Sequence, residues 1–477
     1  AKTGGLADVA ATLAKALWAR GHDVRLFVPY YRRIDASGIE TTDGLPPFEL
    51  KFPGGTYKAE TRKALMPLSE GGGTNKGPLP VEFVNIPDLF DRDELYTDDE
   101  DEPVRWAAFS RSVLEACQLS GWAPDVIHVN DWHTGLLPLF LKTTYAWDEL
   151  FRGTRTLMSI HNLGYQGAFP AEAVEAVGLG DSRGMFHQER LEKGVVNFLE
   201  TGIIHSSWLS TVSKTYAREI QTEEHGMGLQ DLLASRADHL VGIVNGVDYS
   251  EWSPDVDPHI PAQFGPEDLS GKDICRARLL EELNLAPNPK GPVIGIVSRM
   301  TGQKGFDLLP DILPVLLQSS DMRLIVLGSG DLTYERYFQW LRDAMPGKVG
   351  VYFGYKNELS HRIEAGSDMF LMPSRYEPCG LNQMYSLRYG TLPVVRSTGG
   401  LADTVERWDP KTRKGTGFVF YDFKSEALLD TLRHALEVWQ DRDAWSTMQQ
   451  TGMGQDFSWD AQVTRYEDLY SAILSEF

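Results

Sequence analysis

The sequence predicts an α/β protein built as two doubly wound lobes, each around a parallel sheet. Three observations predict it. At 477 residues the chain exceeds the roughly 250–300 at which a single core stops growing. Short β-rich runs alternate with helix-length segments from end to end, the pattern of right-handed βαβ units. A polar, proline-rich stretch at 253–271 interrupts that series, which then starts again.

In chain order, the strands expected in the first lobe are 24–28, 126–129, 156–160, 209–212 and 240–244. Those of the second are 293–297, 323–327, 349–353, 369–372 and 392–395, with the join near residues 245–260. Leu6, Val9, Ala10, Leu13 and Leu17 fall on one face of a helix that Gly21 can end. Val463, Tyr466, Tyr470, Ile473 and Leu474 mark an amphipathic C-terminal helix whose apolar face must pack on something. Residues 67–80, with Gly71-Gly72-Gly73, read as a loop or hairpin tip. The run Thr3-Gly4-Gly5-Leu6-Ala7-Asp8 returns as Thr398-Gly399-Gly400-Leu401-Ala402-Asp403, and each copy opens a helix. The echo is either a shared function or a tight turn that serves twice.

Composition sets limits. Hydrophobic residues at 42% and charged residues at 24% describe a globular chain. No apolar run reaches the roughly 18 residues that span a bilayer. The first residues carry neither a Met nor a signal-like apolar core, so we expect a cytoplasmic protein or a chain lacking its natural N-terminus. Cys117, Cys275 and Cys379 lie far apart, which is neither a disulfide framework nor a zinc site. The net charge of −21 disfavours nucleic acid and anionic membranes as partners and is compatible with a neutral polymer. The acidic run at 91–102 reads as a solvated loop, since nothing in it fixes a metal geometry.

In open α/β sheets ligands bind beyond the carboxyl ends of the strands, and the unusual polar residues gather there. Asn130-Asp131-Trp132-His133, His161-Asn162 and Asn245-Gly246-Val247-Asp248 follow strands of the first lobe. Ser298-Arg299 through Lys304-Gly305, Gly328-Ser329-Gly330-Asp331 and Ser374 through Gly380 follow strands of the second. Gly4-Gly5, with Lys2 beside them, let backbone N–H groups approach a phosphate at a helix start, and Gly380-Leu381-Asn382 can do the same. Arg299 and Lys304 are two cations at the mouth of the second sheet. They either neutralise a diphosphate leaving group without a metal or pair with helix-end carboxylates. The chain has no P-loop and no intact Gly-x-Gly-x-x-Gly fingerprint.

Taken together, Lys2-Thr3-Gly4-Gly5-Leu6-Ala7-Asp8-Val9, Asn130-Asp131-Trp132-His133, His161-Asn162, Val244 through Asp248, Ser298 through Gly305 and Glu377-Pro378-Cys379-Gly380-Leu381 resemble the signature segments of bacterial glycogen synthases and plant starch synthases. The resemblance runs in order over nearly the whole chain. It implies the GT-B fold: two Rossmann-like doubly wound lobes facing a central cleft, here 1–248 and 249–458, with a C-terminal helix, 459–477, crossing back to the first. It also implies retaining transfer of glucose from ADP-glucose to the non-reducing end of an α-1,4-glucan, with no metal or other cofactor, in the cytoplasm of a bacterium or the plastid of a plant or alga. The partners implied are ADP-glucose and a glucan such as glycogen or starch, with neither nucleic acid nor membrane, and no motif specifies an oligomeric state.

Carried over position by position, the resemblance makes Lys2 a contact to the donor diphosphate from the first lobe, with Gly4 and Gly5 beside it. Arg299 and Lys304 hold the phosphates from the other side, Glu377 lies by the donor sugar, and Tyr355 stacks on the adenine. Gly380, Leu381 and Asn382 donate to the distal phosphate, with Thr398 and Gly399 also on the donor side. His161 and Asn245 contact the glucose, His161 near the reacting centre, and Asp131 lines the acceptor side. The catalytic candidates are therefore Glu377, His161, Asp131, Arg299 and Lys304. Front-face attack by the acceptor hydroxyl is favoured, with Asp131 as nucleophile or base the weaker option, and Asp131 can also be read as a helix cap. Two departures stand out. The position eight residues after Glu377, a second Glu in many GT-B enzymes, is Tyr385, which narrows the family. A Rossmann-like lobe also calls for a strand before Lys2, so the chain is expected to be a fragment. Two other readings stay open: a different GT-B transferase, and a catalytically silent glucan-binding relative.

Overall fold

The computed structural model describes residues 5–68, 77–95, 97–287 and 289–476. The chain divides into two compact units: Ala1–Val212, Ala217–Gly246 and Gln462–Phe477 form the first, Ser213–Tyr216 and Val247–Ala461 the second.

The strands of the first unit are β1 (Leu26–Pro29), β2 (Thr42–Asp43), β3 (Phe48–Phe52), β4 (Gly55–Met66), β5 (Leu79–Asn85), β6 (Val126–Asn130), β7 (Arg155–Ile160), β8 (Ala168–Pro170), β9 (Val195–Asn197), β10 (Trp208–Thr211) and β11 (Leu240–Gly242). One sheet is fully parallel, in the order β11-β10-β7-β6. The other has the order β1-β5-β4-β2 with β3 on β4, and only its β1–β5 pair is parallel. The sequence reading anticipated β1 but not its antiparallel neighbours. Their cause is local. Phe48-Glu49-Leu50-Lys51-Phe52 alternates, burying Leu50 and Phe52 while Glu49 and Lys51 face water, and Pro53-Gly54 turns the chain into β4. Met66 pairs with Leu79, and of the loop expected at 67–80 residues 69–76 lie outside the described residues.

The helix Gly5–Ala19 buries Val9, Leu13 and Leu17 on one face, as its periodicity requires. The C-terminal helix Trp459–Ser475 buries Val463, Tyr466, Leu469 and Ile473. It is tied to the first unit by polar contacts at two places. The Tyr470 hydroxyl lies 2.8 Å from His128 Nδ1 on β6, and Glu467 receives Arg20 at 3.1 Å and His22 at 2.9 Å.

The second unit holds one parallel sheet of β12 (Val293–Val297), β13 (Arg323–Gly328), β14 (Val349–Phe353), β15 (Met369–Met372), β16 (Leu392–Arg396) and β17 (Phe418–Phe420), in the order β14-β13-β12-β15-β16-β17. Successive residues serve opposite faces. Ile294, Ile296, Leu324 and Val326 join one core with Leu313, Phe338 and Trp445, while Val293, Ile325 and Leu327 join another with Leu279, Leu359 and Ile363. The strand order reverses between β12 and β15, which opens a crevice at their carboxyl ends.

All three cysteines are free and buried. In the acidic segment Arg32 holds Asp91 and Asp93, each at 2.6 Å, and Arg92 holds Asp99 and Asp101. Among the described residues no helix is long and apolar enough to cross a membrane, and no group of three or more His, Cys, Asp or Glu is placed to hold a metal ion.

Candidate active site

The crevice of the second unit is built by the loops that follow β12 and β15. Gly305 fits the first loop against the second: its φ is +71°, and a Cβ there would lie 1.9 Å from the Pro373 carbonyl oxygen. The Arg375 N–H donates to the Gln303 carbonyl at 2.8 Å, zipping the two loops together. This places Lys304 Nζ 2.6 Å from Glu377 Oε2, and the Ser374 hydroxyl donates to the same oxygen at 3.0 Å. Glu377 and Ser374 are buried and Lys304 half-buried, so the charge-assisted contact is shielded from water. Arg299 is exposed at the start of the β12 loop. The sequence left open whether Lys304 meets a phosphate or a carboxylate; in this structure it meets Glu377.

A third loop locks the backbone behind Glu377. The Gly400 N–H donates to the Glu377 carbonyl at 3.0 Å and lies 3.2 Å from that of Pro378. Gly399 has φ +45°, and a Cβ on it would fall 1.9 Å from the Glu377 oxygen. Thr398 is fully buried at the start of the helix Gly399–Thr404. The fully buried Gln383 amide donates to the carbonyls of Cys379 at 3.0 Å and Gly380 at 2.9 Å, and to the Thr404 hydroxyl at 3.1 Å. Leu381 precedes the helix Asn382–Arg388. The Asn382 side chain turns inward to donate to the Val297 carbonyl at 2.9 Å. Tyr355 stands 81% exposed beyond β14, with its hydroxyl 2.9 Å from Asn357 Oδ1. Tyr385, eight residues after Glu377, lies flat on Trp252 at 4.0 Å, and His361 also stacks on Trp252, at 3.7 Å. Aromatic packing thus occupies the place of the absent second carboxylate.

In the first unit, Asn130, Asp131 and His161 come together at the carboxyl ends of β6 and β7. Asp131 has φ +52°, an uncommon conformation for a non-glycine residue. Its carboxylate makes no cap bond to the following turn. It accepts instead from the His161 N–H at 2.7 Å and from the Asn162 N–H, bracing the loop after β7. Desolvation pushes the Asp131 carboxyl up to about 7, with those two N–H groups opposing the shift. His161 Nε2 lies 2.9 Å from Asn130 Oδ1, an acceptor, so the ring proton sits on Nε2. Burial lowers His161 to about 4, so the ring is neutral at physiological pH. Asn245 is buried beyond β11, and its Oδ1 has no hydrogen-bond partner among the described residues. Gly5 opens the helix Gly5–Ala19, while Lys2 and Gly4 lie outside the described residues.

Sequence reasoning assigned no role to Ser374, Gln383 or Gly400. Ser374 lies two residues beyond a predicted strand, and Gly400 sits in the repeated Thr-Gly-Gly-Leu run, so both carried a signal. Gln383 carried none, because only the fold brings Thr404 beside it.

Residues 1–235 match the starch synthase catalytic domain family, and residues 281–450 match glycosyl transferases group 1. The glycogen synthase of Koribacter versatilis is 44% identical over 98% of this chain and 95% of its own length. Glycogen synthase 1 of Geobacter sulfurreducens is 42% identical over 99% of this chain and 94% of its own. Among solved structures, the catalytic domain of starch synthase IV from Arabidopsis thaliana, bound to ADP and acarbose, aligns with a TM-score of 0.90 at 33% identity, covering 100% of this chain and 97% of that one. The sucrose-phosphate synthase of Thermosynechococcus elongatus aligns with a TM-score of 0.60 at 16% identity, a likeness of fold alone.

Proposed function

This chain belongs to the glycogen and starch synthase family of GT-B glycosyltransferases, and from that premise we propose that it transfers glucose from ADP-glucose to the non-reducing end of an α-1,4-glucan with retention of configuration. The convergence of Lys304 and Ser374 on Glu377, in the crevice between β12 and β15, carries the proposal. Departure of a nucleoside diphosphate leaves positive charge on the sugar and negative charge on the phosphate. Glu377 faces the first charge. Arg299 and Lys304 meet the second, so these residues carry the phosphate charge without a metal or other cofactor. Gly380, Leu381, Asn382, Thr398 and Gly399 line the donor side of this reading, and the exposed Tyr355 stacks on the nucleobase. In the first unit, His161 and Asn245 hold the glucose, and Asp131 braces the His161 loop on the acceptor side. The acceptor hydroxyl attacks from the front face and gives its proton to a phosphate oxygen. ADP in the Arabidopsis starch synthase IV structure supports the choice of nucleotide.

A donor competition tests the proposal. Labelled glucose should enter glycogen from ADP-glucose with a kcat/KM at least tenfold above that from UDP-glucose, and the new linkage should be α. Equal use of both donors would overturn the donor assignment. Glucan binding without transfer from either donor would favour a silent relative.

A further inference from the structure

We infer that Ser374 is a positioning residue for this transfer, acting by reserving one oxygen of Glu377 for the sugar. The inference rests on the reading of Glu377 given above. Ser374 is 1% exposed and sits two residues beyond the end of β15. A carboxylate only accepts hydrogen bonds, so the Ser374 hydroxyl must be the donor in its 3.0 Å contact with Glu377 Oε2. Lys304 Nζ approaches that same oxygen at 2.6 Å. Two donors on Oε2 fix the rotation of the carboxylate about its last bond, which is otherwise broad and soft.

The consequence lies in what remains. An ammonium beside a carboxylate can swing toward both oxygens, and a Glu377 engaged in that way would offer neither to a ligand. With Ser374 holding Oε2 from a fixed point of buried backbone, Glu377 cannot turn to present both oxygens to Lys304. Oε1 is then the oxygen left to face the developing charge on the sugar. When a diphosphate draws on Lys304, the Ser374 bond persists and the carboxylate keeps its orientation. Lys304 can thus serve phosphate and carboxylate together, because it alone does not set the carboxylate's angle.

The test compares Ser374→Ala, Ser374→Thr, Glu377→Ala and the Ser374→Ala/Glu377→Ala double variant in the full chain, with kcat, donor KM and melting temperature measured for each. Loss of one hydrogen bond to a charged group predicts that Ser374→Ala lowers kcat by about 10- to 100-fold. Donor KM should change by less than about threefold, because Lys304 remains. Ser374→Thr, which keeps the hydroxyl, should recover most of the loss. In the Glu377→Ala background, Ser374→Ala should add nothing. A Ser374→Ala enzyme with parental kcat beside a crippled Glu377→Ala enzyme overturns the inference and leaves the role of Glu377 standing. An equal further loss in the double variant also overturns it, since Ser374 would then act without Glu377. Parental turnover in Glu377→Ala overturns the underlying reading instead.

Discussion

Replacing Gly400 with alanine should disable the enzyme by displacing a loop rather than by removing a functional group. The new Cβ would lie 1.9 Å from the Cys379 carbonyl oxygen, 2.5 Å from its carbon and 2.6 Å from its Cα. All three are backbone atoms and cannot rotate away. Ordinary van der Waals contact begins near 3.4 Å, so the two backbones must part by about 1.5 Å. Gly400 is not among the positive-φ residues, so alanine brings no conformational strain and the whole effect is displacement. The moving segment carries Glu377, whose carbonyl Gly400 now holds. A misplacement of about 1 Å at a reacting centre costs roughly 100-fold in rate, and overpacking costs about 1–3 kcal/mol of stability. At about 2–4 °C per kcal/mol for a unit of this size, melting should fall by several degrees while the protein stays folded at 25 °C. Gly121→Ala is the control: its φ is +61° with nothing within 4 Å, so it should lose about 1 kcal/mol and no turnover. Initial rates of glucose incorporation and thermal melts read both effects. Turnover of Gly400→Ala within threefold of the parent would refute the claim that this loop fixes Glu377.

Two further expectations concern the first unit. The Asp131 carboxyl is held up to about 7 against 3.8 for the free group, so between those values the folded state binds more protons than the unfolded. Stability should therefore fall as pH rises from about 4 to 7. Asp131→Asn, whose oxygen can still accept the His161 N–H, should flatten that decline in urea unfolding measured across the range; an unchanged slope would contradict the assignment. Tyr470→Phe removes the hydroxyl beside the half-buried His128, and should lower the unfolding free energy by about 1–3 kcal/mol with little change in kcat. An unshifted urea midpoint would show that the contact contributes nothing.

Much of the site was legible in the sequence because parallel α/β folding converts order along the chain into position at a sheet edge. Once 293–297 and 369–372 read as strands, Lys304 and Glu377 had to emerge at the same edge. What could not be read was the distance between them, since β12 and β15 become neighbours only through the reversal in strand order. Side chains that turn inward were hidden for a similar reason. Asn382 reaches Val297 and Gln383 reaches Thr404 across contacts that exist only after packing. Asp131 read equally well as a cap or as an acid, because its partners lie thirty residues away on another strand end. The antiparallel segment around β3 and β4 was missed although its signal was present. Its alternating pattern is short, and expectation followed the longer βαβ rhythm on either side.

The C-terminal helix also sets a timetable for synthesis. The first unit is made first, yet Gln462–Phe477 belongs to it, and His128 must wait 342 residues for Tyr470. At roughly 5–20 residues per second, that wait on the ribosome lasts about 17–70 seconds. Lys304 waits only 73 residues for Glu377. The second unit, whose residues end at Ala461, can therefore be complete while the first still exposes the apolar surface that Val463, Tyr466 and Ile473 will cover. Damage to Gln462–Phe477 should accordingly strike the half of the protein made earliest, and a cell making this chain has most need of chaperones for the part it translated first.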